Sequence, residues 1–127
     1  MRHQRLTLLW ALLILLLCLM PGNSLPQWSW ADLFQVDKLV HALLFGILAF
    51  LMAIGLRRQQ GHGALRSPLW WATLLVCVAY GIGLEVMQGT LLDGRTGDVL
   101  DAVANTAGAL VGLVYFRREE RGAMVVR

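Results

Sequence analysis

The chain has 127 residues, 57% of them hydrophobic and only 15% charged, with a formal net charge of +3. A soluble domain of this size is about half apolar and about a quarter charged. The composition therefore excludes an ordinary water-soluble fold and points to one membrane-embedded domain, residues 1–127, with no room for a second core.

The first apolar segment is 6–20. MRHQR followed by LTLLWALLILLLCLM has the basic start and apolar centre of a signal peptide. No A-x-A site follows, however, and the three residues before Cys18 are leucines, unlike a lipoprotein cleavage box. A retained helix is expected. It is short against the roughly 17 to 25 residues that cross a bilayer, and snorkelling of Arg5 would extend it. It has no polar face, so it is free to pack against lipid or a second copy, and a homodimer is allowed. Trp28 and Trp30 then read as interfacial anchors in a loop.

The second segment is 36–56. It opens with Asp37, Lys38 and His41, and Asp37 and His41 are four apart, on one helix face. The loop RRQQGHGALRS follows, with His62 read as solvated, like His3. Ser67-Pro68 marks the start of the third helix, over 69–87, with Trp70 and Trp71 near its start and Glu85 and Gln88 three apart near its end. A loop with Asp93 and Arg95 leads to the fourth segment, 99–116, which Thr96 or Asp98 can cap. Asp98, Asp101 and Asn105 open it at spacings of three and four.

Cys18 and Cys77 lie in apolar runs without a CxxC or Cys/His spacing. They read as small buried hydrophobes rather than a disulfide or a zinc site.

Charge sets the orientation. Nine of the eleven basic residues (Arg2, Arg5, Arg57, Arg58, Arg66, Arg117, Arg118, Arg121 and Arg127) fall on one side of a four-helix path. Cytoplasmic loops carry the excess of Lys and Arg, so both termini are expected in the cytoplasm. Six acids, Asp32, Asp37, Glu85, Asp93, Asp98 and Asp101, lie towards the opposite side, and only Glu119 and Glu120 lie with the arginines. The pI of about 9.4 is thus a topology signal rather than a sign of nucleic-acid binding.

The polar residues gather at the outer ends of their helices. Charged groups below headgroup depth are unfavourable unless they face a protein interior or a wet cavity. One shared polar pocket in the outer half of the bundle meets that condition. Asp101, Asn105, Gly108 and Gly112 form one stripe of the fourth helix. Its outer half is polar and its inner half is Gly-x-x-x-Gly, a surface for close helix contact.

The run Glu85-x2-Gln88-x6-Arg95-x2-Asp98-x2-Asp101-x3-Asn105-x2-Gly108-x3-Gly112 resembles the VanZ-like family of small bacterial membrane proteins. Upstream, Asp37-Lys38-x2-His41-x3-Phe45 resembles that family's other signature. The two blocks cover residues 37–112 in the right order, and the chain is similar to a minimal four-helix version without added domains. The resemblance implies a multi-pass protein of the bacterial cell (inner) membrane. The family is named for a protein linked to resistance to the glycopeptide teicoplanin, and it has been proposed to belong to a wider group of membrane enzymes acting on lipid headgroups. It further implies that Asp37, Lys38, His41, Glu85, Gln88, Arg95, Asp98, Asp101 and Asn105 line the active site.

Three functions follow as expectations. The first is an enzyme acting on a phosphate-bearing lipid headgroup or a lipid-linked envelope precursor. Arg95 grips phosphate oxygens in parallel hydrogen bonds, Lys38 adds a point charge, and His41 serves as general base or nucleophile, histidine being the side-chain type suited to proton transfer near neutral pH. Asp37 or Glu85 orients its ring, Asp101 joins this catalytic set, and Gln88, Asp98 and Asn105 contact the substrate. No recognised metal signature is present and no cofactor is assigned, although Glu85, Asp98, Asp101 and His41 offer the donors for a divalent cation. The second is a non-catalytic factor that binds a lipid-linked precursor or an antibiotic. The third, a proton or ion pathway, is weaker because no polar trail continues to the inner side.

Overall fold

Backbone buried in hydrocarbon must satisfy its polar groups internally, and helices do so segment by segment. The computed structural model describes residues 2–19, 30–61, 67–91 and 99–125. A 3-10 turn, Arg2–Gln4, leads into α1 (Arg5–Cys18), and α2 (Trp30–Gln60), α3 (Ser67–Leu91) and α4 (Val99–Val125) follow. Among the described residues there is no strand, as expected of an all-α chain.

Three stretches are long and apolar enough to cross a membrane: Val36–Gln60, Pro68–Leu91 and Val99–Ala123. α1 is a shorter apolar helix of 14 residues. At 1.5 Å per residue it is about 21 Å long, less than the ~30 Å of bilayer hydrocarbon. The exposed surface is rich in large apolar side chains, among them Leu39, Leu43, Leu75 and Val111. A lipid solvent explains this inside-out pattern.

The helices overrun the apolar segments read from the sequence. Trp30, expected in a loop, is the first residue of α2, and Arg57 and Arg58 form its last turn rather than the next loop. Likewise, α4 runs through the expected tail to Val125. An apolar run marks where a helix leaves hydrocarbon, not where it ends. No glycine or proline between Trp30 and Phe45 stops α2 at its start. At its far end Gly61 stops it, with φ of 84° and its N–H bonded to the Arg57 carbonyl at 2.8 Å, a left-handed cap that glycine adopts without strain.

α2 and α4 pack backbone against backbone. A Cβ on Gly108 would collide with the Ala42 carbonyl, and one on Gly112 with the Gly46 carbonyl. Gly46 in turn faces the Gly108 carbonyl, 3.1 Å from where its own Cβ would lie. Small residues four apart on both helices thus bring the axes close, as tight membrane helix pairs require. Phe45, Ala49, Ala53, Ala109 and Leu113 fill the core beneath.

α1 is held by side chains that donate to main-chain carbonyls. Trp10 Nε1 reaches Leu44 O at 3.0 Å, Tyr80 Oη reaches Ala11 O at 2.6 Å, and Gln88 Nε2 reaches Cys18 O at 2.8 Å. Ile14 and Cys18 are buried in the same seam, while Leu9, Leu12 and Leu16 face outward. Of these donors Trp10 belongs to α1 itself, and Tyr80 and Gln88 belong to α3. Cys18 and Cys77 are both buried, and neither is in a disulfide.

The bundle has two unlike ends. Gln4 Nε2 bonds Met52 O at 3.3 Å, and the Arg57 guanidinium lies 5.4 Å from the centre of the Phe116 ring. The start of α1 and the last turns of α2 and α4 therefore meet at a basic end. The first turns of α2 and α4 and the last turn of α3 lie at the other.

Candidate functional site

The acidic end is built on the tight α2–α4 pair. One turn above Ala42 on α2 stands Lys38, and two turns above Gly108 on α4 stands Asp101. Their side chains meet, with Lys38 Nζ 2.7 Å from Asp101 Oδ1. One turn deeper, His41 Nδ1 lies 3.0 Å from Asn105 Oδ1. Because an amide oxygen only accepts, the ring nitrogen donates in this bond.

The other ring edge faces carboxylates. His41 Nε2 is 3.8 Å from Asp37 Oδ1 and 4.0 Å from Asp101 Oδ2. His41 and Asp101 are buried, whereas the Asp37 side chain is about half exposed at the rim. Five of the expected site residues, Asp37, Lys38, His41, Asp101 and Asn105, therefore form one cluster supplied by two helices.

Glu85 and Gln88 come from α3, and both are buried. Gly81, one turn before Glu85, packs on Asn105, so that an added Cβ would lie 3.2 Å from Asn105 Nδ2. Glu85 consequently faces α4 at the level of Asp101, and it lines a side pocket with Val99, Ala102 and Thr90. Gln88 is turned the other way, to the Cys18 carbonyl at the end of α1. Arg95 and Asp98 lie outside the described residues, as do the expected helix caps Thr96 and Asp98 and the loop acid Asp93.

Asn105 is only 1% exposed, and its Nδ2 has no hydrogen-bond partner among the described residues. A buried donor without a partner is unfavourable by about 1–3 kcal/mol, so this atom marks the pocket floor as incomplete.

An apolar groove of about 570 Å³ runs down the outside of the α2–α4 pair from Leu39 to Phe50 and Tyr115, with Gly46, Gly108 and Gly112 in its lining. The Lys38–Asp101 pair stands at its head. Sequence reasoning found the glycines of α4 but not their partners, although Ala42 and Gly46 carry the same four-residue spacing. It also passed over Trp10 and Tyr80, for which no periodicity gives a signal.

The donor set expected for a cation was Glu85, Asp98, Asp101 and His41. Among the described residues the group whose donor atoms lie together is instead Asp37, His41 and Asp101, all within 4.8 Å of one another. Asp37 replaces Glu85 because it is one turn from His41 on the same helix.

A family model described as VanZ/LLP1 matches residues 4–120 of the chain. No curated protein matches it. Nor does any solved structure.

Proposed function

The chain belongs to the VanZ/LLP1 family, and on that footing we propose that it is an integral membrane protein whose acidic-end pocket binds and acts on a phosphate-bearing lipid headgroup or a lipid-linked envelope precursor. One observation carries the reading. The charged pair Lys38–Asp101 stands one turn above Ala42 and two turns above Gly108, which line an apolar groove on the outside of the helix pair. That shape matches an amphiphile, with headgroup at Lys38 and hydrocarbon along Leu39, Leu43 and Val111.

Depth supports it. His41 is five residues into the span that starts at Val36, and Asn105 six into the span from Val99, or about 8–9 Å at 1.5 Å per residue. For a 25-residue span across about 30 Å of hydrocarbon, that depth is just below the headgroups. The Lys38 ammonium is placed to stabilise phosphate charge, Asn105 holds the His41 ring, and His41 Nε2 is the group to take a proton from an attacking water. The arginines at the opposite end favour an extracytoplasmic pocket, cytoplasmic termini and a place in the bacterial inner membrane.

A second reading, binding without chemistry, draws on Lys38 being already paired with Asp101. The ion-pathway reading loses ground, because the core below Asn105 is apolar, with Phe45, Leu48, Ala49 and Leu113.

The test is turnover. Purified protein is placed in vesicles of mixed phospholipid and polyprenyl phosphate, and the lipids are followed by mass spectrometry. Loss of headgroup is expected with the native chain and at least 100-fold less with His41→Ala. A folded His41→Ala protein of full activity removes the role of His41. Intact lipid with the native chain, after long incubation, selects the binding reading.

A further inference from the structure

We propose that Asp37, His41 and Asp101 hold a divalent metal cation. Three Lewis-basic atoms converge here: His41 Nε2, Asp37 Oδ1 at 3.8 Å and Asp101 Oδ2 at 4.0 Å from it. These separations are too long for hydrogen bonds, whose heavy atoms lie about 2.7–3.2 Å apart. A proton on Nε2 would therefore bridge to neither carboxylate. They do suit a shared ion. With the donor atoms all within 4.8 Å of one another, the point equidistant from them lies about 2.5 Å from each, so a small inward turn of the side chains brings them to the ~2.0–2.2 Å of a transition-metal site.

The surroundings prepare each ligand. Asn105 Oδ1 fixes hydrogen on His41 Nδ1, which leaves the Nε2 lone pair turned toward the two carboxylates. An outer hydrogen bond that sets the tautomer is what a metal-bound imidazole has. Lys38 takes Oδ1 of Asp101 and leaves Oδ2 to the ion. Among the described residues of the cluster, two carboxylates meet one ammonium, and a cation suits the remaining negative charge in a setting where charge is unfavourable. One imidazole with two carboxylates is a mixed donor set that suits Mn²⁺ or Zn²⁺ better than an all-oxygen cage would. Three protein ligands leave coordination positions for water or an anionic oxygen.

The cation rests on the pocket already described and would take the Nε2 lone pair, so with the ion bound His41 holds it rather than serving as the base; ion binding and lipid turnover are read separately and can fail separately. Metal-free protein in detergent is titrated with Mn²⁺ and followed by electron paramagnetic resonance. One ion per chain is expected, with a directly bound imidazole nitrogen visible in the spin-echo spectrum. Asp37→Asn, at the exposed rim where folding tolerates it, weakens binding at least 10-fold. His41→Gln abolishes the nitrogen signal, and Glu119→Gln changes neither. Binding that is unaffected by Asp37→Asn, or a bound ion without a nitrogen coupling, overturns the proposal. So does the absence of Mn²⁺ binding at millimolar concentration by folded native protein. A bound cation without headgroup turnover would leave the site standing and remove the enzymatic reading.

Discussion

His41 Nδ1 and Asn105 Oδ1 lie 3.0 Å apart, on helices that touch through Ala42 and Gly108 just below them. The hydrogen bond and the backbone contact are one construction, since His41 precedes Ala42 and Asn105 lies one turn before Gly108. The imidazole is thus oriented by the closest approach in the bundle. Asn105→Ala removes the bond and frees the ring. A double-mutant cycle with His41→Ala in a thermal melt in detergent should give a coupling of about 0.6–1.7 kcal/mol, the range of hydrogen bonds between membrane helices. Turnover or binding at the pocket should fall at least tenfold.

Gly108→Ala is expected to destabilise the protein by about 1–3 kcal/mol, because the new methyl falls on the Ala42 carbonyl and the helices must separate. Gly83→Ala is the contrasting case. Nothing lies within 4 Å of its added Cβ, and alanine favours a helix by about 1 kcal/mol over glycine. Melting curves of the two variants should move in opposite directions.

Lys38→Met leaves the buried Asp101 carboxylate without the ammonium that stands 2.7 Å away. Removing one member of such a pair is worse than removing both, and breaking one typically costs about 3–5 kcal/mol. The double variant Lys38→Met with Asp101→Leu should therefore melt above the single variant Lys38→Met. Equal melting temperatures would show that the pair is screened.

Gln88→Leu separates two roles. The sequence pattern puts Gln88 with the substrate contacts, whereas its amide donates to the Cys18 carbonyl. Loss of that bond should loosen the end of α1, giving faster amide exchange around Leu17 and Cys18. Activity at the pocket should change less than threefold.

The helical class and three of the four bundle elements follow from apolar length alone. The cluster on α2 and α4 is legible too, because spacings of three and four leave Asp101 and Asn105 one face and Asp37 and His41 another. What pattern cannot supply is rotation about a helix axis. Gln88 shares a face with Glu85 by spacing, yet its amide reaches to α1, because the two positions still differ by about 60° around the helix axis. Asp37, half exposed, outranks Glu85 as a neighbour of the His41 Nε2 edge because a single turn of one helix fixes that distance, while Glu85 depends on how α3 leans. The ends of α2 and α4 were hidden for another reason. Arg57, Arg58, Arg117 and Arg118 continue a helix in water as readily as they would leave it, so a hydropathy profile sees only the membrane edge.

The seam between α2 and α4 has a mechanical meaning. Where glycine and alanine meet carbonyl oxygens, no rotamers are left to absorb motion. The two rods therefore act as one body, and the spacing between Lys38 and Asp101 is held whatever the basic end does. α1, fastened by the side chains of Trp10, Tyr80 and Gln88, is the part that can shift without disturbing that rigid spine.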